Sequence, residues 1–109
     1  MRVMPRSDSK PVKDGWLEAG ATYAVLFLQT FRQDVLVWSD MQRAVALFPL
    51  SGFDVVDRSI PESWVIDVDL NGCVMLGPAR WLEDGFWDRY HEADPVAVEV
   101  FEEERARLA

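Results

Sequence analysis

Asp67-Val68-Asp69-Leu70-Asn71-Gly72 is the segment of this chain that comes nearest to a metal-binding motif. Oxygen-bearing side chains at its first, third and fifth positions, followed by glycine, reproduce the opening of a calcium loop. The twelfth position of such a loop needs a bidentate glutamate, and here it is Pro78. The flanks also carry strand patterns, not helical ones. The expectation is a hairpin turn in which Asp67 and Asp69 are solvated, with weak divalent-cation binding at that pair as the lesser alternative and no cofactor. His91, in Tyr90-His91-Glu92-Ala93-Asp94, has no nucleophile or metal ligand at a marked spacing. Cys73 is the single cysteine, which excludes an intrachain disulfide and a thiol-rich zinc site. Beside the turn it reads as a small core residue.

Carboxylates are abundant, and Glu83, Asp84 and Asp88, or Asp54 and Asp57, could converge. Acid–base catalysis needs two carboxylates in environments that separate their pKa values, and nothing in the spacing places these in an apolar pocket. The chain has no glycine-rich phosphate loop, no Gly-x-Ser-x-Gly elbow and no Glu-x-Lys nuclease pair. No lysine follows Lys13, which removes Schiff-base chemistry from the body of the protein. A non-enzymatic role is the expectation.

What the chain has in excess is tryptophan: Trp16, Trp38, Trp64, Trp81 and Trp87. Trp38 and Trp64 lie in strand-like runs and read as bulky core fillers. Trp81, Phe86 and Trp87 lie instead in a glycine-broken stretch beside Glu83, Asp84 and Asp88. Aromatic anchors beside charges have the composition of a protein-binding patch. These six residues are the candidate contact surface.

Charge narrows the partner. Residues 1–13 carry Arg2, Arg6, Lys10 and Lys13 against Asp8, while the rest carries seven arginines against eighteen carboxylates. The formal net charge is −8. A body this acidic repels phosphate backbones and anionic membranes, so neither nucleic acid nor membrane is expected as a partner. A basic protein fits the charge. The N-terminus has charges but no apolar stretch after them, and no apolar run is long enough to cross a bilayer, which makes a cytoplasmic location the expectation.

With 109 residues the chain suits one domain, and it should bury about 65% of its unfolded surface. Residues 1–14 mix proline, serine and charge without period and read as a mobile basic tail, leaving 15–109 as the globular part. Thr22–Thr30 is apolar on both faces and suggests a central strand, and 34–39, 44–48 and 53–57 follow as short strands. The runs 64–70 and 73–77 flank Asn71-Gly72, the dipeptide suited to a type I′ hairpin. There Trp64, Ile66, Val68 and Leu70 share one face. Beyond Gly77-Pro78 the period turns helical, with a break near Gly85. Asp94-Pro95 then opens a final helix carrying Ala97, Val100, Phe101 and Leu108 on one side and a Glu103–Arg107 pair on the other. The fold class is α+β, an antiparallel sheet of about five short strands covered by C-terminal helices, with a small SH3-like barrel as the alternative closure.

The string Ile60-Pro61-x-x-Trp64, Gly77-Pro78-x-x-Trp81, Gly85-Phe86-Trp87-x-x-Tyr90, Asp94-Pro95-x-Ala97 and Phe101 is similar to small uncharacterised bacterial proteins. Some of those are immunity partners in toxin–immunity systems. The resemblance covers residues 20–108 and implies an inhibitor, with no catalytic residue to carry across. The expected function is a non-enzymatic acidic protein that recognises a basic protein, in its sharpest form an immunity-type inhibitor of a toxin. A small-ligand or carbohydrate-binding module with a tryptophan-lined pocket is the alternative, as is an accessory subunit or homodimer.

Overall fold

Short apolar-rich runs punctuated by turn residues give eight strands and three helices in a computed structural model that describes residues 1–108. In chain order these are β1 (Arg2–Pro5), α1 (Lys10–Lys13), β2 (Tyr23–Ala24), β3 (Phe27–Gln29), β4 (Asp34–Ser39), β5 (Ala44–Pro49), β6 (Phe53–Asp57), β7 (Trp64–Val68), β8 (Val74–Pro78), α2 (Phe86–His91) and α3 (Pro95–Leu108). The strands assort into two antiparallel sheets, a small one in the order β2-β1-β6 and a large one in the order β5-β4-β3-β8-β7. The fold is α+β with C-terminal helices, as the pattern of the chain predicts.

The predicted mobile tail is instead structural. β1 is the centre of the small sheet, pairing Val3 with Tyr23 on one side and Val55 on the other. Val3 is completely buried, and Arg6 reaches Asp54 at 3.2 Å. A four-residue strand is too short to declare a period among prolines and charges, so only its tertiary partners reveal it. The expected single strand over Thr22–Thr30 is also divided. Tyr23 and Ala24 belong to the small sheet, and Phe27–Gln29 form the middle of the large one. Between them Val25 N–H donates to the Met1 carbonyl and Leu26 N–H to the Leu36 carbonyl, as the chain crosses from one sheet to the other.

Both faces of the large sheet are covered, which explains the strand residues that are apolar on each side. One core joins the two sheets through Val3, Leu17, Val25, Val35, Val37, Phe53 and Trp64. The other joins the large sheet to the helices through Leu26, Phe27, Leu36, Trp81, Phe86, Ala97 and Phe101. Pro95 opens α3 as expected, and Ala97 and Phe101 are its buried apolar residues. The expected Glu103–Arg107 pair does not form. Glu103 bonds Arg80 at 2.6 Å, and Arg107 reaches the buried Glu104 at 3.3 Å, because both glutamates lie near the 3-10 turn Ala79–Trp81.

Where β8 crosses β3 the backbone needs a residue without a side chain. A Cβ on Gly77 would stand 3.0 Å from Cδ2 of the buried Phe27 ring. Gly77→Ala is therefore expected to cost about 1–3 kcal/mol through overpacking. Urea denaturation would show this as a lower midpoint at unchanged slope.

The hairpin that joins β7 to β8 departs from its prediction in two ways. Its turn is a three-residue loop, Leu70-Asn71-Gly72, in which Gly72 has φ 79° and Asn71 stays at negative φ. Gly72 N–H donates to the Asp69 carbonyl, and Asp69 N–H donates to the Cys73 carbonyl, both at 3.1 Å. That is a bulged turn with glycine at the left-handed position, not the two-residue type I′ turn. Asp69 selects it, since its Oδ1 accepts from the N–H groups of Asn71 and Cys73 at 2.8 and 2.9 Å. The shared face of Trp64, Ile66, Val68 and Leu70 is also buried at one end only. Trp64 enters the inter-sheet core, while Ile66 and Val68 are 68% and 57% exposed and Leu70 is fully exposed. Cys73, expected in the core, is only half-buried.

Candidate acidic groove

The segment after β8 sorts the predicted contact residues into two kinds. Gly77-Pro78 ends the strand, and the 3-10 turn Ala79–Trp81 drives Trp81 inward. Its ring is completely buried and lies stacked on Phe101, 5.1 Å between centroids and 14° between planes. Phe86 is buried as well, with Tyr90 stacked 6.4 Å away. These two rings are therefore core residues and not surface anchors, a correction to the expected patch. The reason is the apolar side of α3. Val100 and Phe101 need a cover, and the short α2 with the preceding turn provides it. Glu83, Asp84 and Asp88 are exposed, as expected of carboxylates.

Trp87 lies between the two kinds. Its ring meets Phe27, Trp81 and Phe101 edge-on at 6.4, 5.7 and 6.2 Å, packs against Phe86 and Tyr90 as well, and is partly exposed. α2 is held in place at both ends. At its start Gly85 takes φ 76°, and the Arg89 guanidinium donates to the Asp84 carbonyl at 3.2 Å. At its end Ala93 takes φ 61°, with Ala93 N–H on the Tyr90 carbonyl and Asp94 N–H on the Arg89 carbonyl, both 3.0 Å. That pair of bonds is the left-handed cap that closes many helices. Burial, and then the Glu102 carboxylate, raise the pKa of Tyr90 above the ordinary phenol value.

Together the hairpin and the segment 82–87 enclose an open groove of about 680 Å³. Asp67 and Asp69 stand on the hairpin side, Glu83 and Asp84 on the opposite side, and Met75 and Trp87 add apolar surface between them. No residue that lines it is cationic. The tertiary structure thus joins two features that the sequence presents separately, the aspartates of the turn and the acidic stretch before α2. Asp88 is exposed on α2 but does not line the groove. Carboxylates gathered in a concave surface focus a negative potential, which draws in cationic groups and raises association rates. Among the described residues no three His, Cys, Asp or Glu side chains gather as metal ligands. The Asp69 Oδ1 atom is already engaged by two backbone N–H groups.

Two further depressions went unseen in the sequence. One, of about 320 Å³, is mainly apolar and lies on the helix side of the large sheet, between Phe27, Leu36, Val45, Met75, Trp87 and His91. The other, of about 380 Å³, carries both signs of charge, with Arg2 and Arg105 against Glu18 and Asp40. Trp38, expected as a filler, is instead partly exposed there. Its indole N–H donates to Asp40 at 3.0 Å, and the Arg105 guanidinium lies 4.3 Å from its ring centroid. Only the spacing of long helical arginines against a strand tryptophan hints at such a pair, and that signal is too common to single out.

Among the described residues no helix is long and apolar enough to cross a membrane. Comparison of the chain with protein-family models, with curated proteins and with solved structures finds no match in any of the three. The class that the fold and the site define is an α+β protein with two antiparallel sheets and an acidic, aromatic-floored groove.

Proposed function

We propose that this protein is a non-enzymatic binding protein whose acidic groove receives lysine or arginine side chains of a basic protein, in its sharpest form an inhibitor of the immunity type. One observation carries the reading. Four carboxylates converge on a groove that also offers Trp87 and Met75, and none of the residues that line it is cationic. Charge of one sign steers a partner of the other, and an aromatic ring beside it packs on the aliphatic stem or cationic head of an arginine or lysine. Glu83, Asp84 and Trp87 keep their predicted role, Asp67 and Asp69 join them, and Trp81 and Phe86 support the site from beneath.

The test is capture from the source cell with two baits, the native chain and the triple variant Asp67→Asn/Glu83→Gln/Asp84→Asn. A basic protein held stoichiometrically by the native chain at low salt, released at high salt and missing from the variant supports the reading. Association with that partner should slow by about tenfold or more in the variant, since charges near an interface act mainly on the on-rate. Capture of the same partner in equal yield by both baits would refute the groove assignment.

The apolar depression beside Trp87 gives the small-ligand alternative a specific place. A saturable change in tryptophan fluorescence with a small apolar or carbohydrate ligand, abolished in Trp87→Ala, would favour it. Light scattering distinguishes the homodimer alternative.

A further inference from the structure

The large sheet ends at β7, an edge strand that lies beside the groove. β7 is the last strand in the order, paired to β8 alone. The bulge fixes which of its backbone groups are free. Asp69 and Cys73 are joined by a backbone hydrogen bond, and in an antiparallel ladder bonded and non-bonded pairs alternate. The bonded pairs are therefore Asp67 with Met75 and Val65 with Gly77, so the N–H and C=O groups of Ile66 and Val68 point outward from the sheet. The side chains of these same two residues are apolar and more than half exposed. Soluble proteins generally blunt such edges, because unpaired backbone groups beside exposed apolar side chains template another strand.

We infer that β7 is a strand-docking edge, and that its occupant is an extended segment of the basic partner with apolar and cationic residues in alternation. The inference rests on the reading of the groove given above. An added strand would place residues opposite Ile66 and Val68 on the face that carries these two side chains. The residue opposite Asp67 would fall on the other face, toward Asp67, Met75 and the groove. Cationic side chains on that face meet Asp67, Glu83 and Asp84, and apolar ones on the opposite face cover Ile66 and Val68. A second copy of this chain fits poorly. Antiparallel self-pairing about Asp67 would set Asp67 against Asp67, and the chain carries a net charge of −8.

The experiment uses the full chain and a capped peptide of alternating lysine and valine, with a block-order peptide of the same composition as control. The alternating peptide is expected to bind and to slow amide exchange at Ile66 and Val68. Val68→Pro removes one outward donor at an edge position where proline is tolerated, and should weaken binding by about tenfold, the effect of losing roughly one hydrogen bond and its geometry. Asp67→Lys leaves the backbone untouched and should weaken binding through repulsion, which keeps the test decisive if the proline variant unfolds. Equal binding of the two peptides, or no added protection at Ile66 and Val68, overturns strand docking. Undiminished binding by Val68→Pro, with loss in the triple carboxylate variant, overturns strand docking while leaving the acidic-groove reading intact. Undiminished binding by Val68→Pro, Asp67→Lys and the triple variant overturns both.

Discussion

Trp81→Ala is expected to remove about 3–5 kcal/mol of stability, a large share of the roughly 5–15 kcal/mol that holds a typical domain folded. Trp81 is the largest completely buried side chain, stacked on Phe101 and met edge-on by Trp87. Its loss opens a cavity where the large sheet, the 3-10 turn and α3 meet. Trp81→Phe should cost much less, since the stack is kept and the indole N–H, which has no acceptor among the described residues, is removed. Trp87→Ala should also stay folded, because part of that ring is already open to the groove. Its effect should appear as faster dissociation of the basic protein proposed to occupy the groove. Denaturation of the three variants, followed by circular dichroism, separates these cases. A Trp81→Ala protein as stable as Trp87→Ala would contradict the assignment of Trp81 to the core and Trp87 to the site.

Deletion of residues 1–5 is expected to abolish cooperative folding altogether. β1 is the centre of the small sheet, so its removal breaks the ladders to β2 and to β6 together. It also takes Val3 out of the inter-sheet core. Burial of a valine side chain is worth about 1.5–3 kcal/mol, and each lost ladder hydrogen bond about 1 kcal/mol. Against marginal stability the sum leaves no folded state. The measurement is thermal unfolding of the shortened chain, and a sharp transition near the native midpoint would show that this segment is a dispensable tail. Val3→Ala is the milder variant, expected to lower the midpoint without eliminating the transition.

The features legible in the residues are those that depend on local chemistry. The apolar runs at 34–39, 44–48, 53–57 and 64–68 are strands because β-branched and aromatic side chains recur there between turn residues. Asp94-Pro95 starts a helix because proline suits a first helical position. The acidity of the body is a property of composition alone. What escaped were features set by partners distant in sequence. Arg2–Pro5 is a strand only because β2 and β6 accept its hydrogen bonds. The Thr22–Thr30 run divides because its two ends belong to different sheets.

The candidate site follows the same division. Glu83, Asp84 and Trp87 could be singled out from aromatic rings set among carboxylates, but Trp81 and Phe86, identical in type, proved to be core. Asp67 and Asp69 were recognised as a turn, and only the fold of the hairpin over the segment before α2 places them across a groove from Glu83 and Asp84. By itself the sequence determined the secondary structure wherever periodicity was long enough, the fold class, and the excess of negative charge. The tertiary structure decided which aromatic rings are buried, which carboxylates share a groove and which strand is left at the edge. The physical reason is that burial and proximity are set by residues far apart in the chain, and no local spacing encodes them.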